Sequence, residues 1–154
     1  MSIEHRLTEL GIELPPPPKP VANYVPACRA GDLLFVSGVL PTRDGKLVFS
    51  GKLGQDLTVQ EGYDAARIAL LNGLANVSQA LGSLDHVKKI VRLVGHVASG
   101  SGFSEHPAVV NGASDLLVEI FGEIGRHARL ALGAAELPGG APIEIELIVQ
   151  VLEK

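Results

Sequence analysis

Apolar positions along the chain change their period several times, and each change predicts an element. Residues 3–10 place Ile3, Leu7 and Leu10 at helical spacing, with Gly11 as the stop. From residue 24 the runs are strand-like: 24–30, a Gly31-Asp32 turn, then the apolar stretch 33–37. Asp44-Gly45 is a hairpin-turn signal ahead of a strand over 46–49. Thr58 and Glu61 have the spacing of a capping box. Beyond them Ala65, Ala69, Leu70, Gly73, Val77 and Leu81 recur on one face, which predicts a helix ending before Gly82. Residues 87–98 are β-rich, and proline at position 107 suits the first turn of a second helix running to about Ile124. Two strands, 129–135 and 143–152, close the chain around a Leu-Pro-Gly-Gly-Ala-Pro connection.

The order is strands, helix, strand, helix, strands. That pattern predicts an α+β layer with two helices against one mixed sheet. A sheet covered on one face leaves the other seeking burial, and a subunit interface would supply it. Residues 15–20, Pro-Pro-Pro-Pro-Lys-Pro, are stiff and extended. They divide the chain into an N-terminal helix with a proline-rich strap, 1–20, and a globular domain, 21–154. A PxxP ligand is the other reading of this stretch, and a spacer or strap is preferred in so short a protein.

Composition narrows the function. Of 154 residues, 46% are apolar and only 19% charged, the opposite of a disordered chain. The formal charge of −4 carries no basic field for nucleic acid. The lone Cys28 excludes an internal disulfide and any multi-cysteine zinc site, and it reads as a small buried hydrophobe. With no Trp and six Phe and Tyr together, the core must be aliphatic. A mean hydropathy of +0.27 is high for a small soluble monomer and favours an oligomer. No run approaches the roughly 18 apolar residues of a membrane span. The first ten residues alternate charge and lack a signal-peptide core, so a cytoplasmic location without a membrane partner is expected.

Candidate chemistry concentrates near the C-terminus. Alternation in Ile-Glu-Ile-Glu-Leu-Ile-Val-Gln-Val, 143–151, puts Glu144, Glu146 and Gln150 on one strand face. Two glutamates about 7 Å apart would, if half-buried, repel one another and raise one pKa toward proton transfer. Ordinary acids on a solvated strand face are the plainer reading. Arg129 opens an uncharged run of small residues and is suited to gripping a carboxylate through two parallel hydrogen bonds. A surface ion pair is its alternative. His5, His86, His96, His106 and His127 show no ligand spacing, so no metal is expected. His127 stands two residues from Arg129 and could share its site, though a solvated loop histidine is the preferred reading, and Asn111 reads as an exposed helical residue.

Taken together, these segments resemble the Rid family, also called YjgF/YER057c-like or endoribonuclease L-PSP-like. The strongest match is Arg129-Leu-Ala-Leu-Gly-Ala-Ala-Glu-Leu-Pro138 followed by Ile143-Glu144-Ile145-Glu146. Leu34-Phe35-Val36-Ser37-Gly38, with Tyr24 upstream, is a second match, and Val110-Asn111 in the second helix a third. The chain resembles the longer branch of the family. The resemblance implies a chorismate-mutase-like fold assembled as a homotrimer, with ligand sites between subunits. It also implies hydrolysis of reactive 2-imino and enamine acids to 2-oxo acids and ammonia, without cofactor. Arg129 and Glu144 then match the catalytic pair, one on the substrate carboxylate and one near the reacting nitrogen. Tyr24, Ser37, Gly38, Asn111 and Ala131 match substrate-binding positions, Ala131 standing where many members have cysteine. A trimer that binds a small carboxylate metabolite without turnover is the alternative. A ribonuclease is disfavoured by the charge and by the lack of an aromatic platform.

One geometric expectation is independent of the resemblance. Were 129–135 and 143–151 a plain hairpin, Arg129 would lie opposite residue 149 or so. Glu144 would then be roughly 16 Å down the partner strand, too far to share a small substrate. The strands are therefore either not simple hairpin partners or brought closer by a bulge or the loop.

Overall fold

Capping sets the limits of the long helices. The computed structural model describes residues 1–153. Helix α1 spans Ile3–Glu9, where the Ser2 side chain accepts from the backbone N–H of His5. Helix α2 spans Val59–Leu81 and begins at the reciprocal Thr58–Glu61 capping box. It ends at Gly82, whose positive φ of 84° closes the last turn against the carbonyl of Ser78. Helix α3 spans His106–Phe121 with Pro107 in its first turn. It stops about three residues earlier than expected, because Gly122 leaves helical geometry and Gly122–Gly125 tightens into a 3-10 turn.

Five strands form the main sheet: β1 (Ala27–Ala30), β2 (Leu33–Val39), β5 (Val87–Ala98), β6 (Ala128–Ala134) and β7 (Ile143–Val151). Their spatial order is β1-β2-β7-β5-β6. Only β5 and β6 run parallel, and the other neighbours are antiparallel. A small hairpin pairs β3 (Thr42–Arg43) with β4 (Lys46–Leu47). Its turn residues Asp44 and Gly45 both take positive φ, at 53° and 76°, as that tight turn requires. Buried Asn72 of α2 ties the hairpin down, donating to the carbonyls of Leu40 and Thr42, each at 2.9 Å.

Two expectations about the first strand are corrected. It starts at Ala27 instead of residue 24. Pro26 has no N–H to give a ladder, and its carbonyl and that of Val25 are taken by Ser37 instead. Cys28 is exposed, not buried, because β1 is an edge strand and this side chain points to the uncovered face.

Helices α2 and α3 cover one face of the sheet. Leu70, Leu74 and Leu117 from the helices meet Leu93, Ile143 and Ile145 from the strands, all fully buried and all aliphatic. α1 adds Leu7 to this core. Its Glu4 carboxylate accepts from Ser83 Oγ and Leu84 N, which pins the α2–β5 turn. The opposite face of the sheet carries no helix, and Phe35, Leu130 and Leu132 are each more than two-fifths exposed there. No described helix is long and apolar enough to cross a membrane.

The α2–α3 contact depends on one missing methyl. A Cβ on Gly112 would collide with the backbone carbonyl of Tyr63, which cannot move aside as a side chain can. Gly112→Ala is therefore expected to destabilise the fold by about 1–3 kcal/mol. A drop in the urea midpoint with an unchanged denaturant slope would register it.

Candidate functional site

The sheet order answers the hairpin question. β6 and β7 are not partners, since β5 lies between them. Arg129 stands opposite Leu93 on β5, whereas Glu144 stands opposite His96, three residues further along the same strand. Two strand spacings and three residues of rise place the two Cα atoms about 14 Å apart. Paired residues share a face, and Leu93 is fully buried under the helices. Arg129 therefore points toward α3 and Glu144 points to the uncovered face.

The first cluster lies along the sheet edge, between β6 and α3. Arg129 Nη1 donates to Asn111 Oδ1 at 2.7 Å and to Ser114 Oγ at 3.2 Å. Asn111 and Ser114 are three apart on α3 and so share one helix face. Ser114 Oγ also lies 2.9 Å from His127 Nε2, and His127 Nδ1 lies 2.6 Å from the Gly125 carbonyl. Ala131 follows Arg129 on the same side of β6, adding little bulk. Arg129 makes no salt bridge to any described carboxylate, which removes the surface ion pair as its reading.

The second cluster lies on the uncovered face. Glu144, His96, Gly38 and Leu137 line a hollow of about 260 Å³. Burial pushes the Glu144 carboxyl above the ordinary glutamate value; facing His96 opposes this and Glu146 adds a smaller upward push. The repulsion expected between the two glutamates is thus real but secondary to desolvation. Glu146 itself is exposed. A Cβ at position 38 would come within 2.5 Å of Glu144 Oε1, so any larger residue than Gly38 would push that carboxylate aside. Tyr24 and Ser37 line an adjoining apolar hollow of about 560 Å³ with Phe35, Val94 and Ile148. The Ser37 hydroxyl donates to the Val25 carbonyl at 2.6 Å and so holds the segment carrying Tyr24. Among the described residues, no three His, Cys, Asp or Glu side chains gather as a metal set.

The structure thus brings the expected residues together in two groups, Arg129, Asn111 and Ala131 at the edge, and Tyr24, Ser37, Gly38 and Glu144 on the open face. It does not bring the groups to each other within one chain. The sequence profile described as "YjgF/chorismate mutase-like, putative endoribonuclease" matches residues 4–148. The chain belongs to this YjgF family. Protein TCP17 of Trypanosoma cruzi is 46% identical over 146 residues, 94% of this chain and 91% of that protein. A solved structure of unknown function from Agrobacterium tumefaciens is 45% identical, with a TM-score of 0.90 over 97% of this chain and 92% of its own. A structure from Shewanella oneidensis, described as a putative endoribonuclease, is 41% identical, with a TM-score of 0.94 over 98% of this chain and 100% of its own. A Rid family protein from Yersinia pestis, 24% identical over 88% of this chain and 93% of its own, shares the fold at a TM-score of 0.63.

Within this YjgF chain, sequence reasoning misses Ser114 and His96. Ser114 is three residues after Asn111, a helical-face signal. His127 takes the less favoured of its two readings, a share in the Arg129 site, since it is half-buried and bonded at both ring nitrogens. His96 became visible only through the β5–β7 register.

The raised Glu144 pKa makes a stability prediction with a definite sign. The folded state holds this proton more tightly than the unfolded chain does. Ionised Glu144 therefore weakens the fold at neutral pH, and the penalty is relieved as pH falls through the raised value. Glu144→Gln is expected to melt higher than the wild type at pH 8, with the advantage fading as pH falls through the raised value and gone below the ordinary glutamate range. A pH series of melting temperatures checks it.

Proposed function

We propose that the protein hydrolyses small 2-imino acids, and their enamine tautomers, to 2-oxo acids and ammonia. The observation that carries this reading is the pair of uncompensated charges. Among the described residues, Arg129 keeps its outer guanidinium edge without an acceptor, and Glu144 is half-buried without a salt bridge. Belonging to the YjgF family supports it, as does the Arg129…Glu144 motif that the chain shares with Rid proteins.

Because the two charges lie on different faces, the working site needs two copies of the chain. The β6–α3 edge of one copy packs on the open sheet face of the next, covering Phe35, Leu130 and Leu132. The two patches differ, so the contact is head-to-tail, which makes a ring when its rotation closes. A homotrimer is the ring expected for this family. The substrate carboxylate sits on Arg129 of one copy and its C=N carbon near Glu144 of its neighbour.

The chemistry asks little of the protein. Water adds to the electrophilic C=N carbon, forming a C–O bond while the π electrons move to nitrogen. Glu144 takes a proton from the attacking water and returns one to the nitrogen. Glu144 then carries the hydroxyl proton of the resulting carbinolamine to its nitrogen as the C–N bond breaks, so the oxygen's electrons form the carbonyl and ammonia leaves. A carboxyl with a raised pKa exchanges protons near neutrality more readily than an ordinary glutamate. Anchoring by Arg129 supplies orientation. Gly38 leaves room for the Glu144 carboxylate.

Freshly generated 2-iminopropanoate and 2-iminobutanoate are the test substrates. Wild type is expected to accelerate ammonia release, and Arg129→Lys to lose about 100-fold in kcat/KM, since lysine keeps the charge but not the fork. No acceleration by an assembled wild type removes the reading and leaves carboxylate binding without turnover. A mixture of Arg129→Ala and Glu144→Gln chains, unfolded and reassembled together, is expected to regain about a quarter of wild-type activity, because random rings contain some intact sites. Failure of two separately folded variants to complement removes the shared site. Gly38→Ala is expected to cost about 100-fold in kcat by displacing the Glu144 carboxylate, with assembly unchanged in size-exclusion profiles.

A further inference from the structure

We infer that His127 and Ser114 are positioning residues that fix which edge of the Arg129 guanidinium meets the ligand; the inference rests on the carboxylate-holding role of Arg129. The directions of the hydrogen bonds follow from one end. The Gly125 carbonyl can only accept, so His127 Nδ1, 2.6 Å away, carries the ring proton. In the neutral imidazole Nε2 is then the acceptor, and the Ser114 hydroxyl, 2.9 Å away, donates to it. With its single hydrogen committed, Ser114 presents lone pairs to Arg129 Nη1 at 3.2 Å. Asn111 Oδ1 takes the other Nη1 hydrogen at 2.7 Å.

Nη1 is therefore saturated. Among the described residues, nothing accepts from Arg129 Nε or Nη2. End-on engagement of a carboxylate would need one Nη1 hydrogen, which is occupied. The Nε–Nη2 edge is open, and its two parallel N–H groups match the two oxygens of a carboxylate. The network selects side-on engagement before any ligand arrives.

His127 is the keystone because it orients the serine. Without it, the Ser114 hydroxyl hydrogen rotates freely and in some rotamers points at the guanidinium, where two donors oppose each other. Asn111 alone then holds Nη1 by one hydrogen bond, about which the guanidinium swings. Three elements contribute: α3 supplies Asn111 and Ser114, the 3-10 turn supplies the Gly125 carbonyl, and β6 supplies Arg129. Half-burial of His127 and Ser114 shields the chain of bonds from competing water.

The direct test is the Arg129 side chain in 15N-labelled protein, followed by NMR. In the wild type its Nη1 protons should be resolved and slow to average. In His127→Leu they should average, and in Ser114→Ala likewise without any change to the histidine. His127→Gln, which returns an acceptor to the serine, should restore the slow regime. In parallel, the affinity for 2-oxobutanoate by calorimetry should fall about tenfold in His127→Leu and recover in His127→Gln, and KM for 2-iminobutanoate should rise by a similar factor with kcat lowered far less. Absence of turnover in the wild type, with 2-oxobutanoate binding that still depends on Arg129 and His127, would remove the deaminase reading and keep this one. Fast-averaging Arg129 Nη1 protons in the wild type, or Arg129 resonances unchanged in both His127→Leu and Ser114→Ala, overturn it whatever the turnover.

Discussion

Strand β6 joins the sheet parallel to β5, and α3 is the crossover that brings it there. A parallel neighbour cannot be reached by a tight turn, so a helix must intervene and lie across the sheet beside the new strand. That single constraint places β6 at the edge with α3 alongside it. Arg129 is thereby delivered to Asn111 and Ser114. The final strand does not pair with β6 and instead enters between β5 and β2. Glu144 then faces away from the helices, beside His96 and Gly38.

The two charges are maintained in different ways. Arg129 is half-covered at an edge, where neutral oxygens from Asn111 and Ser114 fill one nitrogen and leave the rest of the fork available. Glu144 bears a desolvation penalty that His96 only partly offsets. Among the described residues, neither forms a salt bridge. Leaving a half-buried carboxylate without a counter-ion costs stability, and a fold tolerates such a cost at a place where the charge has work to do. Leu, Ile, Val and Ala fill most of the core, where Asn76 of α2 is buried with its Oδ1 unpartnered, and glycines at 62, 95 and 112 let helices and strands approach closely.

The uncovered sheet face links the two clusters. It exposes Phe35, Leu130 and Leu132, with Phe35 also lining the hollow that holds Tyr24 and Ser37.

The sequence by itself determined the elements with strong local signals. The Thr58–Glu61 box and Gly82 bounded α2, Asp44-Gly45 set the small hairpin, and period-two alternation sorted the faces of β7, because each depends on bonds or contacts within a few residues. It also carried the family, since the Arg129 to Glu144 spacing is a linear property. Local signals missed where a distant partner decides. Pro26 shortened β1 through carbonyls claimed by Ser37, Cys28 was exposed by its place on an edge strand, and His127 drew its partners from α3 and the turn before it. Strand order lies outside local sequence altogether, because pairing β6 with β5 instead of β7 is chosen by how α3 packs. Only the tertiary structure could therefore place Arg129 and Glu144 on opposite faces. Their separation follows from the stacking of three strands, a quantity that no spacing along the chain contains.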